Sequence, residues 1–271
     1  MLANFRSLLD QGWQPVFAQP RSHQRALEHA LAWPSVLGAR TIAGTVTALG
    51  RDQQDWSADY KIYSRSPWSS QALFEPVVDD YLERYPKGSV VGVIDDTGLP
   101  RTGKKIPGAG WQHDPLSPPF HLNLRWGQRF IQMGLLFPHY QQGNQDARSL
   151  PIRFEEAPVV RKPGKRASDE DKKIYREQKK KHTLSTRAVA LLSEQRQQLD
   201  DNGAAKRPLL VSLDGGYCNR TVFRASLERI TLLARCRKDA RLCFPAPAGQ
   251  RRQYGEKILT PEQVRQEGHY S

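Results

Sequence analysis

Three short apolar runs stand out in the second two-thirds of the chain: Val90-Val91-Gly92-Val93-Ile94, Leu209-Leu210-Val211-Ser212-Leu213, and Arg229 to Arg235, "RITLLAR". Each has strand length and lacks the strict polar alternation of a half-exposed strand. Such runs predict strands buried on both faces of a sheet that helices cover. A fourth stretch, Trp126 to Phe137, alternates and then turns apolar. It predicts two short strands or one long strand in the same sheet.

Between and before these runs the spacing is helical. Phe5, Leu8 and Leu9 give one short apolar face, and Ser22 is placed to cap a helix through Ala26, Leu27, Ala30 and Leu31. Val36 to Leu49 continues the pattern after Pro34. Ser69 or Ser70 opens a further helix with Leu73, Phe74, Val77, Val78, Tyr81 and Leu82 on one face. Ser168, followed by Asp169, Glu170 and Asp171, starts a helix with acids at its positive end. Leu184, Ala188, Leu191, Leu192 and Leu199 keep its period, and Gly203 closes it. Asn219 or Thr221 caps a short helix. Thr260, Pro261 and Gln263 stand in capping-box order for a last one that stops by Gly268. The pattern predicts an α/β protein: a helical domain over 1–86, a sheet core over 87–245 with a helical insertion at 165–203, and over 246–271 a polar tail or the start of an insertion subdomain.

Composition narrows the class. Hydrophobic residues make up 38% and the mean hydropathy is -0.66, so the core is thin and the surface broad. No run approaches the roughly 18 to 20 apolar residues of a membrane helix, and the charged first residues do not form a secretory signal. The expected location is the cytoplasm, at the nucleoid if DNA is the partner. Cys218, Cys236 and Cys243 match no zinc spacing and are expected to be buried or inert thiols.

Charge says more. There are 41 Lys and Arg against 28 Asp and Glu, a net of +13. Arg161 to Lys181 holds ten basic and four acidic residues, and Arg224 to Arg252 eight and two, so these two segments carry twelve of the thirteen. Charge clustered in this way points to a phosphate backbone as partner. Candidate phosphate contacts are Lys172, Lys173, Lys179, Lys180, Lys181, Arg235, Arg237, Lys238, Arg251 and Arg252. Lys104 and Lys105 join them from the basic, glycine-rich loop between Arg101 and Gly110. The tryptophan-rich amino-terminal helices are a second place where DNA could be read, although they hold no clean helix-turn-helix.

The chemistry sits where the apolar runs end. The first ends in Asp95-Asp96-Thr97-Gly98 and the second in Asp214-Gly215-Gly216. Strand side chains alternate, so only one of Asp95 and Asp96 can enter a given site. Carboxylates at the carboxyl ends of neighbouring strands make a magnesium site in outline, with Asp96 and Asp214 as the pair. Two metals sharing a carboxylate can activate a water or a 3′-hydroxyl and stabilise a leaving phosphodiester oxygen. Asp95 or Asp96 opening an ordinary turn is the competing structural explanation. His113 and Asp114 are a further pair that an unrelated nuclease could use.

"VIDDTGLP", "LLVSLDGGYCNRTVF", "RITLLARCRKDARLCFPAP" and "GQRRQYGEK" together resemble the catalytic region of bacterial insertion-sequence transposases of the DDE type. The resemblance runs from about Gly88 to the end and implies an RNase H-like mixed sheet flanked by helices. It implies Mg2+ or Mn2+ as cofactor, with Asp96 as first metal ligand, Asp95 as its fallback, and Asp214 as second. It implies double-stranded DNA, both transposon ends and target, as partner, no membrane, and is compatible with a homodimer. The family's third acid, a glutamate on a later helix, has no clear counterpart. Glu256, Glu262 and Glu267 lie in a short polar tail. The expectation is therefore a transposase portion that lacks its carboxyl-terminal part, or a non-catalytic DNA-binding remnant of one.

Overall fold

The computed structural model describes residues 2–114, 117, 118, 120–141, 144–252 and 254–267. By the density of its contacts the chain divides into two units, Met1–Lys87 with Phe137–Phe154, and Gly88–Leu136 with Glu155–Ser271.

Among the described residues the first unit holds five α-helices: α1 (Leu2–Trp13), α2 (Pro20–Ala32), α3 (Ile42–Ala48), α4 (Ser57–Ser64) and α5 (Glu75–Arg84). Leu9, Leu27, Val46, Ile62 and Val78 form its buried centre. The tryptophans act as braces. The Trp13 indole donates to the Leu73 carbonyl at 2.8 Å and the Trp68 indole to the Ile62 carbonyl at 2.8 Å. Ser22 does not cap α2. Proline at the first helical position starts that helix earlier, from an extended Gln19, because its fixed φ suits the first turn and its missing N–H costs nothing there. The helix expected from Val36 shrinks to α3, which the Thr41 side chain caps by accepting from the Gly44 N–H. The described residues of 137–154 add strand segments to this unit, where Phe137 meets Tyr81 edge-on at 5.1 Å and Gln71 donates to the Ile152 carbonyl at 2.9 Å.

The sheet is built from β1 (Val90–Pro100), β2 (Gly110–His113), β3 (Leu124–Gln141), β4 (Asn144–Glu156), β5 (Leu209–Leu213) and β6 (Ile230–Ala234). Its order is β2-β3-β1-β5-β6, with β4 also pairing β3. β1 runs antiparallel to β3 and parallel to β5, and β5 parallel to β6. Read through β4, the order β4-β3-β1-β5-β6 is an antiparallel meander followed by two parallel strands, the RNase H-like arrangement expected from the sequence. The Trp126 to Phe137 stretch belongs to one long strand.

Register fixes which face is core. Gly92 and Ile94 lie level with Val211 and Leu213 on one side and with Leu135 and Met133 on the other. The flanking side chains are at most 4% exposed. α6 (Asp169–Lys181) and α7 (Leu184–Leu199) follow the sheet's first half. α7 buries Ala188, Leu191, Leu192, Gln195 and Leu199, an i, i+3, i+4, i+7, i+11 stripe that matches a buried sheet face. The expected single helix breaks at His182, where the Thr183 hydroxyl accepts the Thr186 N–H at 3.1 Å and starts α7 anew. α6 buries nothing and stands as a lysine-bearing arm, opened by a Ser168–Asp171 capping box. α7 ends at Leu199, earlier than expected, and a wider helical turn over Asp200–Ala204 follows it, in which Gly203 takes the left-handed φ of +82° that breaks the helical path.

α8 (Arg220–Phe223) follows β5, capped by Asn219. A separate hairpin, β7 (Leu242–Pro245) with β8 (Tyr254–Leu259), and α9 (Pro261–Glu267) complete the described chain. Thr260 and Gln263 cap α9 reciprocally; Gly268 lies outside the described residues. All three cysteines are free thiols. Cys218 and Cys236 are half-buried, and Cys243, expected among buried or inert thiols, is exposed. Among the described residues no helix is long and apolar enough to cross a membrane.

One glycine keeps β1 and β3 close near the carboxyl end of β1, four positions beyond Asp96. A Cβ at Gly127 would lie 2.3 Å from the Leu99 carbonyl oxygen, a backbone atom that cannot rotate aside. Gly127→Ala is expected to force β1 and β3 apart at that point, at a cost of about 1–3 kcal/mol. A lowered urea midpoint with an unchanged slope checks this.

Candidate metal and nucleic-acid site

β1 passes from a buried to an accessible end within three residues: Ile94 is core, Asp95 exposed and Asp96 half-buried. Pleating keeps Asp96 on the side of Gly92 and Ile94 and sends Asp95 to the other. Asp95 turns back, its Oδ1 accepting the Asp96 backbone N–H at 2.8 Å.

Asp96 is held from two directions. Arg129, on β3 opposite Gly98 and so on the same face, donates from Nε to Asp96 Oδ2 at 2.9 Å. The Tyr217 hydroxyl donates to Oδ1 at 3.2 Å. Tyr217 is 2% exposed, and its burial, together with the negative charge of Asp96 and then Asp95, pushes its hydroxyl far above the ordinary phenol range. It therefore stays protonated and can only donate to Asp96.

Tyr217 also joins the two aspartates. Asp214 follows β5 directly, still extended, and caps the one-turn segment Gly215–Tyr217; its side chain accepts the Gly216 N–H at 3.4 Å. The Tyr217 N–H donates to the Asp214 carbonyl at 2.9 Å. One residue thus touches Asp214 through its backbone and Asp96 through its ring. The ladder pairs Ile94 with Leu213, which sets Asp214 level with Asp95 and one position short of Asp96. Asn219 secures the loop by donating to Ser185 Oγ on α7 at 2.8 Å and to the Gly216 carbonyl at 3.1 Å.

As a donor set, Asp96 and Asp214 offer hard carboxylate oxygens at the ends of adjacent strands. That suits a divalent cation that keeps much of its water and is bound through one or two carboxylates. Among the described residues no group of three or more His, Cys, Asp or Glu side chains is placed to hold a metal. Glu262 is engaged with Arg265 at 2.7 Å, and the side chains of Glu256 and Glu267 lie outside the described residues. His113 is exposed at the end of β2, with Nε2 2.8 Å from Asn123 Nδ2, and Asp114 lies 3.5 Å from Arg125.

The candidate basic residues are spread over several elements of the chain. Arg235, Arg237 and Lys238 follow β6, whose Ala234 pairs with Leu213, so they emerge beside Asp214. All three are exposed, and Arg237 is paired with Asp239 at 2.9 Å. Lys173 and Lys179 to Lys181 are exposed on α6, while Lys172 is half-buried and 3.1 Å from Asp169. Lys104 and Lys105 are exposed in the β1–β2 loop, and Arg251 and Arg252 between β7 and β8. Arg129 and Tyr217 carry no motif of their own. Arg129 reads as a polar position in an alternating strand, and Tyr217 sits inside "DGGYCN", where only its spacing from Asp214 could have drawn notice.

A family model described as DDE superfamily endonuclease matches residues 18–270. No curated protein and no solved structure matches the chain.

Proposed function

The chain belongs to the DDE superfamily endonuclease family, and from that premise we propose that it is a transposase that cuts and joins double-stranded DNA with Asp96 and Asp214 as metal ligands. The observation that carries the reading is Tyr217, which ties the carboxyl ends of β1 and β5 together at these two acids. Mg2+ or Mn2+ bound there would supply Lewis-acid activation of a water or 3′-hydroxyl and neutralise the leaving oxygen. The protein's own residues prepare that site. Arg129 and Tyr217 fix the Asp96 carboxylate in one orientation, the bond from Gly216 fixes Asp214, and the lysines and arginines around the strand ends draw in the phosphate backbone.

Supercoiled plasmid incubated with the protein and Mg2+ is expected to be nicked, with EDTA abolishing the product. Nicking that persists in EDTA removes the proposal. A second reading, DNA binding without cutting, draws on the lack of a third acid among the described residues near the pair. It predicts salt-sensitive retention of duplex DNA with no nicked product at any metal concentration.

A further inference from the structure

A second feature of the sheet unit is built like a binding site and has no part in the scheme above. Trp111 on β2 and Trp126 on β3 are ladder partners, their rings 5.9 Å apart and edge to face at 72°. Trp126 is fixed in place, its indole N–H donating to the Gly103 carbonyl at 3.2 Å. The Arg161 guanidinium lies 5.5 Å from the Trp126 ring and is itself held by donating to the Lys104 carbonyl at 3.2 Å. Trp111 stays 62% exposed. Beside the two indoles, Val159, Val160 and Tyr175 complete a cleft of about 480 Å3, with Arg161 and Lys162 at its wall.

A cross-strand tryptophan pair can simply stabilise a sheet edge. That role accounts for Trp126, which is half-buried and hydrogen-bonded, but leaves the large open surface of Trp111 without purpose. The chemistry of the cleft selects its occupant. Aromatic cages that take cations need an electron-rich wall free of positive charge, whereas this one carries a guanidinium and an ammonium group, and no carboxylate lines it. A bare phosphate would gain nothing from two indoles. A flat aromatic ring attached to a phosphate satisfies both halves, stacking on the rings and pairing with the cations. In duplex DNA the base faces are already stacked, so the nucleotide that fits is an unpaired one.

Position supports the same choice. The cleft shares Val159 and Val160 with a neighbouring one of about 270 Å3, which is lined by Arg129, the partner of Asp96. We infer that Trp111, Trp126 and Tyr175, with Arg161 and Lys162, form a cradle for an unpaired nucleotide of single-stranded DNA beside the acid pair. The inference deepens the proposed function and rests on DNA being the substrate.

The test is fluorescence anisotropy of the full chain with a labelled twelve-residue oligothymidine and with a blunt duplex of similar length, without metal. Trp111→Ala is expected to weaken oligothymidine binding on the order of tenfold, the loss of one base–aromatic stack. Duplex binding should change less than twofold, and Trp111→Phe should recover most of the difference. Equal loss on both ligands, or no loss on either, overturns the cradle, and an unchanged urea midpoint excludes misfolding as the cause. A chain that shows the Trp111 effect yet never nicks plasmid keeps the cradle and loses the cutting proposal. A chain that nicks with Trp111→Ala binding unaltered does the reverse.

Discussion

Asp96→Asn is expected to lower metal-dependent nicking by roughly a thousandfold, the rate equivalent of the several kcal/mol that a Lewis-acid metal contributes. Asparagine has the same shape, and its Oδ1 can still accept from Arg129 or Tyr217, so the fold should survive. What disappears is the negative charge, and with it the ability to hold a divalent cation. Asp214→Asn should behave alike, and the double variant should be little worse than either single one, because both remove the same metal. Asp95→Asn is the control. Its carboxylate is exposed on the opposite face of β1 and accepts the neighbouring Asp96 N–H, so a loss of no more than a few-fold is expected. The measurement is initial nicking rate against Mg2+ concentration for the three variants. If Asp95→Asn abolishes nicking while Asp96→Asn does not, the ligand pair is Asp95 with Asp214, the two acids that the ladder sets level.

The largest effect on stability is expected at Asp59 in the helical unit. Asp59 is 1% exposed on α4 and meets three cationic or ionisable partners on neighbouring elements. Arg25 donates at 3.0 Å, His29 Nε2 lies at 2.8 Å, and Arg51 lies at 3.7 Å. His29 is 2% exposed, and its other nitrogen meets the Tyr63 hydroxyl at 2.8 Å. In the neutral tautomer that gives Nε2–H to the carboxylate, Nδ1 accepts from the Tyr63 hydroxyl. Burial and the Asp59 charge both raise the Tyr63 pKa, which keeps that proton in place. Arg51 also pairs with Glu28. Asp59→Ala would leave His29 without an acceptor and two guanidinium groups facing each other over a void. Removing one partner from a buried charge network costs about 3–5 kcal/mol. Hydrogen exchange should show the loss in amides of the first unit, with β5 and α7 protected as before. A change below about 1 kcal/mol would mean that water replaces the carboxylate at little cost.

The sheet's central strands were legible because Val90 to Ile94 and Leu209 to Leu213 are short, nearly unbroken apolar runs. The burial expected on both faces holds on one only: Leu210 and Ser212 of β5 and Leu233 of β6 are exposed, because among the described residues no helix covers that face of these strands as tightly as the core face. The turn after β5 was legible too, since Asn219 caps α8 and Asp214 caps the turn through local bonds. β2 and β4 were not. Their apolar positions are few, and what makes them strands is the length of β3, which offers an edge along 18 residues. The break between α6 and α7 was hidden because no proline or glycine interrupts the polar run across His182, and only the Thr183 cap betrays it. At the site, the acids were visible from sequence, while Arg129 and Tyr217 depended on contacts spanning 33 and 121 residues. The Trp111–Trp126 pair depended on a register that the intervening loop sets. Residue type suggests chemistry; distance along the chain conceals its partners.

The parallel pairing of β1 with β5 has a consequence for the order in which the protein assembles. β1 can zip to β3 once the chain between Pro100 and Leu124 folds back, a short closure that aligns Asp96 with Arg129 early. The ladder to β5 waits for a closure more than a hundred residues long, and contacts of that range are the slow ones. Arg129 therefore neutralises Asp96 through the interval before Asp214 arrives. If the two aspartates share a cation as proposed, it would find its second ligand only when the sheet is finished, and by mass action it would then hold the last-formed ladder closed.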